Sequence, residues 1–212
     1  MKEWFNKRNA QLQSIKDKLL IKSITDQQVK LTAKRNNQVR DYLNKTALFM
    51  VNHCIQKSMA NLIVGYNPGI KQEINIGGRN NQNFVQIPFH SLRSKLKAIC
   101  ERYGLNYQEQ DESYTSKASA LDGDEIPVYN ADNPKEYQFS SNGIQRGLYR
   151  TKTGHLVNAD LNGSLNIGQK SKHEGFNRVS RGSLTATRRI NLLKLERKTL
   201  SNMALACCVA SF

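Results

Sequence analysis

The chain has 212 residues, enough for one domain with its own core or a domain with appendages. Lysine and arginine total 32 against 17 acids, a net charge of +15 with a pI near 9.8, and such a charge points to a polyanionic partner, of which nucleic acid is the commonest. A mean hydropathy of −0.62, no apolar run near the ~20 residues of a membrane span, an N-terminus without the apolar stretch of a secretory signal, and four cysteines (Cys54, Cys100, Cys207, Cys208) without a C-x-x-C pair argue against membrane, secreted, disulfide-scaffold and zinc-knuckle classes and fit the cytoplasm.

Residues 1–60 read as a basic helical segment. "LIKSITDQQ" breaks it, which predicts two helices paired as a hairpin. In the second, Val39, Tyr42, Leu43, Ala47, Met50, Val51, Cys54, Ile55 and Met59 form one apolar stripe. Lys34, Arg35, Arg40 and Lys45 take the other face, which reads as a solvated surface or as a nucleic-acid contact.

Residues 61–112 predict strand, helix, strand. "NLIVGYNPG" is a short apolar run ended by turn residues, and a loop rich in Gly, Asn and Gln follows. "IPFHSLRSKLKAICERYG" is amphipathic through Leu92, Leu96, Ile99, Cys100 and Tyr103 and stops at Gly104. "LNYQEQDES" is the second strand. A crossover of this kind implies a parallel sheet. Residues 113–157 are expected as an irregular insert, 158–170 as a helix, and 171–212 as a basic tail without fixed structure.

The helix in "LVNADLNGSLNI" places Asp160 on one face with Gly163, Ser164 and Ile167, while Asn158, Asn162 and Asn166 fall four apart. Asp160 reads as an acid that satisfies the helix dipole or caps the helix. The sharper reading is a ligand for a hard cation such as Mg²⁺, with small neighbours that let a phosphate backbone come close. Glu109, Asp111 and Glu112 end the second strand, where functional groups of open α/β sheets gather. Alternation sends Glu109 and Asp111 to one face and Glu112 to the other. A solvated acidic strand end is the competing reading.

"ESYTSKAS" followed by "NADLNGSLNI" resembles the C-terminal half of the TnpB (OrfB) proteins of bacterial insertion sequences, and "KRNNQVRDYLNK", "IVGYNPGIKQ" and "NNQNFVQIPF" extend the match in the same order. The resemblance implies an α/β fold of RNase H-like, RuvC type, and an RNA-guided DNA endonuclease whose three carboxylates hold Mg²⁺ for phosphodiester hydrolysis. Its partners would be DNA and a guide RNA. Asp160 matches the last of the three acids.

The departures from the family pattern are specific. Gly65 in "LIVGYN" stands where most members carry a catalytic Glu, and Glu112 is the acid expected to replace it. Ser119, Asp122, Arg150 and Thr153 stand where many relatives carry two cysteine pairs, so no structural zinc is expected. Packing through Tyr129, Tyr137, Phe139, Leu148 and Tyr149 would hold the insert instead. The family's early strand with the first catalytic Asp has no counterpart, so the chain is expected to be N-terminally truncated, completed by a separately encoded N-terminal piece, with an exposed strand edge. Lys71, Arg79, Lys117, Arg146 and Arg150 are candidates for phosphate contacts. The functional expectation is a nucleic-acid-binding part of a transposon endonuclease, and the alternative is a remnant that binds RNA or DNA without cutting. Discontinuity of the gene upstream would separate the two.

Overall fold

The structure, a computed structural model, describes residues 2–67, 88–130, 136–140, 142–145, 147–178 and 209–210. It is mixed α/β and divides into two compact units, Met1–Thr46 and Ala47–Phe212.

The first unit is a helical hairpin. Helix α1 spans Lys2–Lys18, and α2 spans Asp26–Gln56 and runs on into the second unit. The break predicted between them is a capping box. The Gln28 N–H donates to Thr25 Oγ1 at 3.3 Å, and the Thr25 N–H donates to Gln28 Oε1 at 3.2 Å. Leu12, Leu31 and Leu43 are buried, and Gln28 Nε2 donates to Gln13 Oε1 at 3.2 Å. The basic residues of α2 have partners inside the unit. Lys34 lies over the Trp4 ring, Arg35 over Phe5, Lys45 pairs with Asp41, and Arg40 donates to Asn37.

In the second unit, β1 (Asn61–Tyr66) and β2 (Asn106–Asp111) pair in parallel, with Asn61 opposite Asn106 and Tyr66 opposite Asp111. Helix α3 (Phe89–Tyr103) connects them and buries Leu92, Leu96 and Cys100. It stops at Gly104, whose φ of 71° lets its N–H close back on Cys100 and Glu101 carbonyls. Cys54 and Cys100 are buried and in no disulfide, as their apolar-stripe positions imply. Burial pushes the Cys100 thiol up to about 11, helped by the neighbouring Cys54 and Glu101.

The insert is more regular than its composition suggests. Strands β3 (Asn142–Gln145), β4 (Leu148–Arg150) and β5 (Leu156–Asn158) form an antiparallel sheet with a register shift between Gly143 and Gln145. Strands of three or four residues carry no readable alternation, and this is why the sequence pattern suggests irregular chain there. β5 feeds directly into α4 (Ala159–Lys170). The segment beyond Lys170 contributes a 3₁₀ turn, Glu174–Arg178, and a two-residue strand β6, Val209–Ala210. β6 lies parallel to β1 on the side away from β2, giving the order β2–β1–β6. The edge expected to be bare therefore carries a short strand.

Candidate metal and nucleic-acid site

Strand β1 is buried from Leu62 to Gly65. Its residues facing α4 are Ile63, which packs with Ile167 and Phe176, and Gly65. A Cβ built on Gly65 would lie 2.7 Å from Ile167 Cδ1 and 2.8 Å from Glu112 Oε2. The space a side chain at position 65 would need is filled by the Glu112 carboxylate. Glu112 follows the end of β2, and its N–H continues the pairing by donating to the Tyr66 carbonyl at 3.2 Å.

The three acids at this strand end have different fates. Glu109 accepts from Arg93 at 3.0 Å and from the Tyr107 hydroxyl at 2.9 Å, and the Arg93 guanidinium lies 3.9 Å from the Tyr66 ring centre. Asp111 pairs with Lys170 Nζ at 2.5 Å and accepts from the Ser113 hydroxyl at 2.7 Å. Burial would raise the Asp111 carboxyl, but the Lys170 and Ser113 contacts outweigh it and hold the group below the ordinary range. The Glu112 carboxylate accepts no hydrogen bond among the described residues, while its backbone carbonyl accepts from the Thr115 hydroxyl at 2.7 Å. Burial raises its pKa, Asp111 adds to the rise, and Arg93 opposes it. A half-buried carboxylate without a donor is the kind of hard oxygen ligand that a divalent cation takes.

Asp160 is exposed in the first turn of α4. It is not the side-chain cap. Asn158 is, its Oδ1 accepting from the Leu161 N–H at 3.0 Å. Ile167 lies seven residues further on, about 10 Å along the helix axis, so Asp160 stands at the far end of the face that meets Gly65. Gly163 and Ser164, expected to admit a phosphate backbone, are buried, and a Cβ on Gly163 would lie 3.9 Å from the Thr115 carbonyl. That is ordinary van der Waals contact, so Gly163 faces the segment after Glu112 with room for a Cβ. Among the described residues no group of three or more His, Cys, Asp or Glu is placed to hold a metal.

The asparagine row has a structural role that its spacing alone did not reveal. Asn162 is 1% exposed. Its Oδ1 accepts from the Ala120 N–H at 3.0 Å and the Tyr149 hydroxyl at 2.5 Å, and its Nδ2 donates to the Ala118 carbonyl at 2.8 Å. Asn166 Nδ2 donates to the Thr115 and Ala118 carbonyls at 2.8 and 2.7 Å. One side of α4 thus clamps the turn segment that leaves Glu112, and fixes where that segment begins.

At Ser119, Asp122 and Lys152, near the positions where the sequence suggested replaced cysteine pairs, hydrogen bonds join the two limbs of the insert. Asp122 Oδ2 accepts from the Ser119 hydroxyl at 2.7 Å and from the Lys152 N–H at 2.9 Å. Thr153 shares a hydroxyl contact of 3.0 Å with Thr151, and Arg150 is exposed in β4. The Tyr114 ring packs against Tyr129, Tyr137 and Phe139 with centres 5.2–6.4 Å apart. Tyr149 is buried with Ala120, Val157 and Leu165. Of the phosphate-contact candidates, Lys117 is exposed in the turn after Glu112 and Arg150 is exposed on its strand. Lys71, Arg79 and Arg146 lie outside the described residues. No helix among the described residues is long and apolar enough to cross a membrane.

Comparison with known proteins supplies the context. Residues 1–71 match the family model of the OrfB proteins of IS605 elements, described as a probable transposase, and residues 89–167 match the model described as Cas12f1-like, TNB domain. No curated protein matches the chain. The two models follow one another along the sequence and cover the helical hairpin, the second strand, the insert and α4, so the chain belongs to the TnpB (OrfB) family of transposon-associated proteins.

Proposed function

We propose that this chain is a nucleic-acid-binding part of an RNA-guided DNA endonuclease with a RuvC-like, RNase H-type fold, in which Glu112 and Asp160 hold Mg²⁺. The observation that carries this reading is the position of Glu112. Its carboxylate fills the space over Gly65 and is the one acid of three at its strand end that accepts no hydrogen bond among the described residues. Mg²⁺ bound there would activate water and stabilise the charge that develops on the phosphate. Among the described residues no group of three or more His, Cys, Asp or Glu is placed to hold a metal, so on this reading a further carboxylate comes from a separately encoded polypeptide. DNA and a guide RNA are the nucleic-acid partners, in the cytoplasm. Exposed Lys117 and Arg150 supply phosphate contacts. The hydrogen bonds around Asp122 do the work of the absent knuckle, and no zinc is used.

That no such group of three lies among the described residues favours a second reading, a protein that holds RNA or DNA without cutting. One experiment separates the two. The chain is incubated with single- and double-stranded DNA and Mg²⁺, with and without RNA copurified from its native locus, beside Asp160→Ala. Cleavage that needs Mg²⁺ and is lost in the variant establishes the enzyme. Salt-sensitive binding without cleavage, unchanged when a polypeptide supplying the further carboxylate is added, establishes the binding protein. Failure to bind either nucleic acid overturns both.

A further inference from the structure

Tyr114 follows Glu112 by two residues, at most about 7 Å of chain. Its φ is 64°, a left-handed conformation that strains a bulky residue and persists only where the surroundings impose it. Here the turn after β2 imposes it. The Thr115 hydroxyl donates to the Glu112 carbonyl at 2.7 Å, and the Lys117 and Ala118 N–H groups both donate to the Tyr114 carbonyl at 3.0 Å. The turn sets the Tyr114 ring at the centre of three others from later in the insert. Tyr137 meets it edge-on at 5.2 Å between centres, with Phe139 at 6.0 Å and Tyr129 at 6.4 Å.

A cluster that only packs is buried. Here Tyr129 is 52% exposed and Tyr137 is 40% exposed. The buried cluster of the insert is a different one, Tyr149 with Ala120, Val157 and Leu165, so that core is built without these two rings. Clustered exposed apolar surface marks a contact site, and tyrosine suits a ligand with apolar faces and polar edges. The chain carries a net charge of +15, and Lys117 is exposed in the same turn as Tyr114. The flat ligand that brings negative charge alongside is a nucleobase on its phosphate chain. A base inside a duplex has both faces covered by its neighbours, so the base must be unpaired.

We propose that Tyr129 and Tyr137, braced by Tyr114, form a stacking platform for an unpaired base of single-stranded DNA, with Lys117 beside the adjoining phosphate. The choice of DNA rests on the reading of Glu112 as a metal ligand for DNA cleavage; the stacking does not. The platform holds a strand close to Glu112 and reads no sequence, because every base has a flat face.

The test uses the full chain in EDTA, so that no outcome depends on the metal site. Binding of fluorescein-labelled oligo-dT is followed by anisotropy, beside a strand of equal length whose sugars carry no bases. The abasic strand keeps every phosphate and loses the stacking partner, so it should bind at least about fivefold more weakly. Tyr129→Ala and Tyr137→Ala should each weaken oligo-dT binding by about fivefold to about a hundredfold. Neither should change the slope of affinity against salt, because no phosphate contact is lost. Tyr129→Phe and Tyr137→Phe keep the ring and should stay within about twofold of the unmodified chain. Lys117→Ala should instead reduce the salt slope by about one. Alanine variants that fold, by circular dichroism, and bind oligo-dT as the unmodified chain does overturn the proposal. So does a tyrosine effect seen with oligo-U and absent with oligo-dT. If the alanine variants do not fold, the abasic comparison decides alone, and equal affinity for the two strands overturns it.

Discussion

Glu112 occupies the room that a side chain on Gly65 would require: a Cβ at position 65 would come within 2.8 Å of Glu112 Oε2. The two positions are therefore coupled, because one strand gives up its side chain where the next strand's end supplies a carboxylate. Gly65→Ala forces Glu112 and Ile167 aside and should cost about 1–3 kcal/mol, as overpacking does. In the pair Gly65→Glu with Glu112→Ala, the second change removes the Glu112 contact, one of the two under 3 Å, and leaves Ile167 Cδ1. The double variant should be more stable than Gly65→Glu alone, with a coupling of about 1 kcal/mol or more. Urea denaturation of the four chains of this cycle measures it, and strict additivity would contradict the coupling.

Glu112 also sets a pH dependence. Its folded-state pKa is raised, first by burial and then by Asp111. The folded chain thus holds this proton more tightly than the unfolded chain does. The group is neutral in its effect below the unfolded pKa, and stability falls as pH rises through the window up to the folded pKa. Glu112→Gln removes that loss. The variant should match the unmodified chain in acid and exceed it in stability at neutral pH, a comparison that melting curves at the two conditions provide.

Asp111 has the opposite sign. Lys170 and Ser113 hold its pKa below the ordinary value despite burial. Its contribution is present above the unfolded pKa and is lost as pH falls through the lower, folded pKa. Lys170→Met should cost about 1–2 kcal/mol at neutral pH, less than a fully buried pair because Asp111 is partly exposed. The difference should shrink in strong acid. A pH-independent difference between the two chains would mean that Lys170 acts through packing alone.

Asn162 is the strongest structural residue near the site. Asn162→Ala leaves the Ala120 N–H without its partner, while the Ala118 carbonyl keeps Asn166 Nδ2 and the Tyr149 hydroxyl keeps its 3.4 Å contact with Ser119 Oγ. One unsatisfied buried N–H and two lost bonds should cost about 2–4 kcal/mol together. Asn158→Ala, which removes a helix cap, should cost about 1 kcal/mol. Thermal unfolding ranks the two, and an equal or reversed ranking would show that α4 is not held through Asn162.

The periodic elements were legible in the residues. The stripe through Leu92, Leu96 and Cys100 and the apolar run at Leu62–Val64 each extend over enough positions to declare a helix or a strand, and the break at "LIKSITDQQ" showed where two helices part. The insert's sheet was not, because β4 and β5 have three residues each and owe their state to cross-strand partners. The four-residue spacing of Asn158, Asn162 and Asn166 was visible, but what Asn162 and Asn166 hold is a segment more than forty residues away. The same limit applied to the acids. Glu109, Asp111 and Glu112 look alike in sequence, and only Arg93, 16 residues from Glu109, and Lys170, 59 residues from Asp111, distinguish them.

The most direct test is a titration of the full chain with Mn²⁺, followed by electron paramagnetic resonance, beside Glu112→Gln, Asp160→Asn and Glu109→Gln. Glu109 is tied to Arg93 and Tyr107, so its variant should bind Mn²⁺ within about twofold of the unmodified chain. Loss of a direct ligand should weaken binding by at least about tenfold, and this is the result predicted for Glu112→Gln and Asp160→Asn. Unchanged Mn²⁺ affinity in Glu112→Gln would contradict the assignment of the carboxylate above Gly65 to a metal.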